Sequence, residues 1–83
     1  MTTLKLVLTH HWYDEIASGG KHVEYRRVCR FWHKRIWSKR DAITHVCFSR
    51  GYTKTNIKFR VNEINIGKCP IDGWAGDYYR INF

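Results

Sequence analysis

The segment Ile57-Lys58-Phe59-Arg60-Val61-Asn62-Glu63-Ile64-Asn65-Ile66 alternates apolar and polar residues, but its phase breaks once. Ile57, Phe59 and Val61 share one face of an extended strand, with Lys58, Arg60 and Asn62 on the other. After Glu63 the apolar set resumes at Ile64 and Ile66, displaced by one position. Such a slip moves every following side chain to the opposite face. The segment therefore reads as a long strand with a bulge or sharp bend at Asn62-Glu63, the device by which a small barrel turns a corner.

The flanking sequence supplies partners for that strand. From Ile43 onward, Val46 and Phe48 alternate with His45 and Cys47, and the run ends at Ser49-Arg50-Gly51-Tyr52. Thr53 to Asn56 is a polar turn, and Gly67 to Asp77, with the single proline, reads as a long loop. Tyr79, Ile81 and Phe83 form a last strand, while Leu4, Leu6 and Leu8 give a first one with a single buried face. Thr9 is the expected N-cap of a helix over His10 to Ala17, which directs Trp12 and Ile16 to the core. Gly19 or Gly20 supplies the left-handed residue that ends it. A second strand follows over His22 to Arg26, then a second helix over Val28 to Trp37. At about 100° per residue, Val28, Cys29, Trp32 and Ile36 form an apolar seam. Arg27, Arg30 and Lys34 form a separate basic face edged by Phe31 and Trp37. The pattern predicts an α+β fold: a small β-barrel of about five strands with two α-helices.

Eighty-three residues make one domain with one core. An apolar content of 43% suffices for a packed globule and argues against disorder. The apolar runs are too short for a transmembrane span, and Lys5 interrupts the only early one, so neither a membrane partner nor a secretory signal is expected. Cys29, Cys47 and Cys69 form no Cys-x-x-Cys pair, which favours reduced thiols in the cytoplasm over a disulfide frame. His10, His11, His22, His33 and His45 show no metal-ligand spacing. No phosphate-binding loop, dinucleotide fingerprint or nucleophile elbow is present, so no metal and no cofactor are expected. The formal charge of +8 is concentrated between residues 21 and 40, where Lys21, Arg26, Arg27, Arg30, Lys34, Arg35, Lys39 and Arg40 oppose only Glu24. A stripe of that density favours a polyanion, above all nucleic acid. The sequence leaves the oligomeric state open.

Chemistry is most concentrated at Ser18-Gly19-Gly20-Lys21-His22-Val23-Glu24-Tyr25-Arg26. A glycine stop and a tight turn bring an amine, a carboxylate and a guanidinium within a few residues. On a regular strand Lys21 and Glu24 would face opposite ways, and they meet only if the Gly19-Gly20 bend turns Lys21 out of register. Otherwise Glu24 pairs with Arg26, two residues away on the same face. Ser49, Arg50, Gly51 and Tyr52 offer a hydroxyl, a guanidinium, an open backbone amide and a ring to a second wall, or form an ordinary strand-ending turn. Trp12 and Trp32 read as core residues, whereas Trp37 and Trp74 are the candidates for stacking on a base.

Several of these elements together carry a resemblance. They are the helix with Trp12 and Ile16, Ser18-Gly19-x-Lys21 with Glu24-x-Arg26, and Phe31-Trp32-x-Lys34-Arg35-Ile36. Val46-x-Phe48-Ser49-Arg50-Gly51-Tyr52, Gly67, Trp74-Ala75-Gly76 and Tyr79-x-Ile81 complete the set. In this order they resemble the ASCH domain family of the PUA-like superfamily, over nearly the whole chain. The resemblance implies a PUA-like barrel over residues 1–83, a cleft where Lys21 and the residue three beyond it face a ligand, and an association with RNA. One branch of the family implies amide hydrolysis on acylated cytidine, with a lysine, a threonine three residues later and a separate glutamate. Lys21 matches that lysine, but Glu24 stands at the threonine position, and a carboxylate does not replace a hydroxyl nucleophile. Glu24 would act instead as a general base on water, with Lys21 holding the developing oxyanion.

The first functional expectation is a module that binds RNA or a nucleotide. Its cleft would be lined by Lys21, Glu24, Arg26, Ser49, Arg50, Gly51 and Tyr52. Arg27, Arg30 and Lys34 would grip phosphates while Trp37 and Trp74 stack on bases. The alternatives are a hydrolase of a modified nucleoside or RNA centred on Glu24 and Lys21, and a small interaction factor whose basic helix binds an acidic protein surface.

Overall fold

A computed structural model describes residues 2–71 and 73–83. Among these residues six strands form two three-stranded sheets, accompanied by two α-helices, so the fold is α+β. In the first sheet β1 (Thr2–Leu8) runs parallel to β3 (Ile43–Arg50), and β4 (Asn56–Arg60) lies antiparallel on the other side of β3. In the second sheet β6 (Asp77–Asn82) is central, flanked antiparallel by β2 (Val23–Arg27) and β5 (Glu63–Lys68). A parallel β1–β3 pair requires a crossover. That crossover carries α1 (His10–Ala17), β2 and α2 (Arg30–Arg35), and so delivers β2 to the second sheet.

The slip in the 57–66 segment is where the chain changes sheets. The Val61 N–H donates to the Thr44 carbonyl at 2.9 Å, while the next amide, Asn62, donates to the Asn82 carbonyl at 2.8 Å. One residue belongs to the edge of each sheet, so the expected bent strand becomes two strands, β4 and β5, and about five strands become six. The inner faces follow the alternation. Leu4, Leu6 and Leu8 of β1, Ile43, Val46 and Phe48 of β3, and Tyr79 and Ile81 of β6 are buried in one core. Ile36 reaches the same core from the end of α2. Cys29, Cys47 and Cys69 are free thiols. No described helix is long and apolar enough to cross a membrane.

Two expectations about the helices change. Thr9 does occupy the extended N-cap position of α1, but its side chain makes no capping bond. The buried seam of α1 is Tyr13 and Ile16, which leaves Trp12 half-buried at the seam's edge. The second helix is shorter than Val28 to Trp37. Val28 is 44% exposed, and Cys29 is extended at φ −153° and ψ 168°. These two residues carry the chain out of β2, and no side chain caps the helix to start it earlier. At its other end the buried Ile36 is held by its N–H to the Trp32 carbonyl (2.8 Å), and the chain tightens into a 3₁₀ turn over Trp37–Lys39.

Phe48 is fully buried, and its ring lies 5.0 Å from that of Phe83 and 6.2 Å from that of Phe59. Truncation to Ala removes the shared contact of β3, β4 and the chain end. Phe48→Ala should destabilise the fold by about 3–5 kcal/mol in urea titration, close to the whole stability of a domain this size. Ile66→Ala, at an exposed position, should shift the midpoint little.

Candidate functional site

The site begins where α1 stops. The Gly20 N–H donates to the Glu15 carbonyl (3.0 Å) and the Gly19 N–H to the Ile16 carbonyl (3.1 Å), with Gly19 at φ +85°. This is a Schellman stop, which needs a residue without a Cβ penalty at the left-handed position. It ends before β2 begins at Val23, so Lys21 lies outside the regular strand and escapes its alternation. The Lys21 Nζ donates to Glu24 Oε1 at 2.9 Å, the meeting that the sequence made conditional on the bend. Arg26, on the same face as Glu24, places Nη1 at 3.2 Å from Oε2. The Tyr25 N–H is a third donor to the carboxylate, reaching Oε1 at 3.0 Å.

Glu24 is 3% exposed and is the one charged residue of the described interior. An isolated carboxylate taken out of water costs several kcal/mol, and here two cations and an amide offset that cost. Each cation also rests on an aromatic ring: Lys21 Nζ is 4.2 Å from the Trp12 ring centre, and Arg26 Cζ is 5.3 Å from that of Trp32. Arg26 Nη1 donates in addition to the Tyr25 carbonyl at 2.9 Å. Its Nη2 reaches across to the Val7 carbonyl of β1 at 3.4 Å. The buried carboxylate thus organises a link between the edge strands of the two sheets.

A cleft of about 590 Å³ opens along that seam. One wall is β1 from Lys5 to Leu8, and the floor is Lys21, Glu24 and Arg26. Rings of Trp12, Phe31, Trp32 and Trp74 line the remaining sides, with Tyr52, 98% exposed, at the rim. Arg35 joins from α2, its guanidinium 3.7 Å from the centre of the Phe31 ring. Four cations (Lys5, Lys21, Arg26 and Arg35) therefore share the cleft with a single described carboxylate. Burial pushes the Tyr25 phenol on the other face of β2 above its ordinary pKa.

Of the two readings of Ser49 to Tyr52, the strand-ending turn is the one found, and only part of a second wall forms. Arg50 turns to α1, where Nε and Nη2 bind both oxygens of Asp14 at 3.1 and 3.2 Å. That hydrogen-bonded guanidinium holds the Asp14 carboxyl below its usual range. Gly51 is the turn residue, with φ +59° and its N–H donating to the Leu8 carbonyl. Ser49 lies within β3 at the register position of Val7 and Asn56. Of this quartet only Tyr52 reaches the cleft. Among the tryptophans Trp37 departs from expectation. Trp37 stacks on the buried Tyr79 (5.7 Å, 18°), and the Arg40 guanidinium lies 4.2 Å from its ring centre, so it is packed rather than presented. Trp12 and Trp32 pack partly buried against the core, as expected, and also line the cleft, which Trp74 reaches as well. Arg27, Arg30 and Lys34 are exposed, and none of the three lines the cleft.

Sequence reasoning missed Lys5, Trp12, Phe31, Trp32 and Arg35 as cleft residues. One signal was legible: Phe31 and Arg35 stand four apart on a helix, the spacing at which a guanidinium covers a ring. Comparison with protein-family models, curated proteins and solved structures returns no match for this chain.

Glu24→Gln keeps the shape of the side chain and removes its charge. It should lower stability by about 3 kcal/mol, the low end of the range for breaking a buried pair, because Lys21 and Arg26 can swing partly to solvent. Arg50→Gln at the exposed Asp14 pair should leave the denaturation midpoint unchanged within error.

Proposed function

We propose that the chain is a PUA-like module of the ASCH type, an incompletely closed barrel whose seam cleft binds RNA or a nucleotide. The observation that carries this reading is the composition of the cleft: five rings and four cations around one fully paired carboxylate. A nucleotide presents the complementary surfaces, a π-face for stacking and a phosphate for the cations. Lys21 retains donors beyond the one given to Glu24, and Lys5 and Arg35 make no described ion pair. Arg30 and Lys34, exposed on α2, add sequence-independent attraction for a polyanion.

Hydrolysis with Glu24 as base draws less support from this geometry. Both Glu24 oxygens are engaged, by Lys21, the Tyr25 amide and Arg26, so the carboxylate serves to position cations before it can activate water.

Single-stranded RNA should bind at low ionic strength, with affinity falling steeply as salt rises, measured by fluorescence anisotropy. The double variant Arg30→Ala, Lys34→Ala should flatten the slope of log K against log salt by about 1.4, at ~0.7 per phosphate contact. Trp74→Ala should weaken binding by about 1–3 kcal/mol, as loss of one stacked base does. Absence of RNA and nucleotide binding at low salt would overturn the proposal.

A further inference from the structure

Strand β2 divides its side chains between two concavities. Glu24 and Arg26 look toward the seam cleft, while Tyr25 and Arg27 alternate to the outer face of the second sheet. On that outer face the register sets Tyr25 opposite Arg80 and Arg27 opposite Tyr78, so rings and guanidinium groups alternate across the two strands. Arg80 is held in place by its Nε bond to Asn65 Oδ1 at 2.6 Å, above Gly67, where an added Cβ would lie 2.5 Å from Arg80 Cζ. A second hollow of about 380 Å³ lies here, lined by Tyr25, Arg27, Tyr78 and Gly73 together with Arg26 and Trp74. Trp74 packs near Tyr78, with ring centres 5.6 Å apart.

Arg26 and Trp74 thus border both hollows. A ligand confined to a single nucleotide would use one hollow and leave the other, with its own rings and cation, unoccupied. A nucleic-acid strand uses both, because its phosphate can pass a shared guanidinium while successive bases lie on either side of a shared ring. We infer that the second hollow is a subsite for the neighbouring nucleotide, and that the ligand is a single-stranded oligonucleotide stepping over the β2 edge at Arg26 and Trp74. This rests on the nucleotide-binding reading of the cleft and specifies its ligand as a strand rather than a free nucleoside. Arg27 acts here within a built hollow, apart from the α2 cations.

The test compares a ribonucleoside 5′-monophosphate with the dinucleotide and tetranucleotide that extend it, by calorimetry and tryptophan fluorescence at low salt. The dinucleotide should bind at least about tenfold more tightly than the monophosphate, in line with one added stacked base. Arg27→Ala, at an exposed position, should reduce that dinucleotide-to-mononucleotide ratio several-fold, and Tyr78→Ala should do the same, with thermal melts confirming its fold. A ratio near one in the unmodified protein, or a ratio unmoved by both variants, would overturn the two-hollow inference while leaving the cleft as a nucleotide site. No binding of any of the three probes would instead remove the functional reading itself.

Discussion

The buried Glu24 carboxylate is the constraint around which the seam is built. It stands on the inner face of β2 opposite Ile81, a position that the alternation of the strand would otherwise give to an apolar side chain. Stability alone does not account for it, since replacing a buried ion pair by well-packed apolar groups is often neutral or favourable. What the charge adds is position. It fixes the amine of Lys21 and the guanidinium of Arg26 at known places on a cleft floor, and through Arg26 it holds β2 against the Val7 carbonyl of β1.

The same residues explain why the two sheets meet closely at one side and remain apart at the other. At the Val61–Asn62 corner consecutive amides bond to different sheets, which ties the two together there. On the opposite side the unpaired edges are β1 and β2. The Leu8 carbonyl accepts from Gly51, beside β3, and the Val7 carbonyl accepts from Arg26, so the backbone of β1 alternates between its partner strand and the seam. An open edge of this kind needs cover. Here aromatic side chains supply it: Trp12 from α1, and Phe31 and Trp32 from α2. The helices serve as walls of the cleft as much as lids on the core.

The parts of this arrangement that depend on local periodicity were legible in the sequence. The alternation of Leu4, Leu6 and Leu8 and of Val46 and Phe48 reflects one buried face, and the slip at Glu63 marks the change of sheet, although Ile66 beyond it is exposed. The helix stop at Gly19 was legible for the same local reason. Contacts between distant segments were not. Nothing near Arg50 announces Asp14, thirty-six residues away, as its partner. The core packing of Trp12 and Trp32 was legible, but their second role as cleft walls was not, because helical spacing gives a direction only to within a residue or so. Trp12 falls one step off the Tyr13–Ile16 seam, so it packs on the edge of the core and also lines the cleft. Trp37 was read as the edge of a basic helix that in fact ends before it, in a turn that folds the ring onto Tyr79.

The basic stripe, too, changes meaning when its members are placed. Lys21 and Arg26 are bound to Glu24, Arg35 covers Phe31, and Arg40 covers Trp37 while donating to its carbonyl at 2.7 Å. Arg27, Arg30, Lys34 and Lys39 remain exposed without a described carboxylate partner. The two groups act over different ranges. Exposed cations attract a polyanion over about a Debye length and are screened by salt, whereas the largely buried Lys21 and Arg26 at the cleft are screened much less. One uniform patch would give affinity without register. For the proposed nucleic-acid ligand, this division would let the outer charges gather the strand and the inner, ring-backed Lys21 and Arg26 decide how it lies.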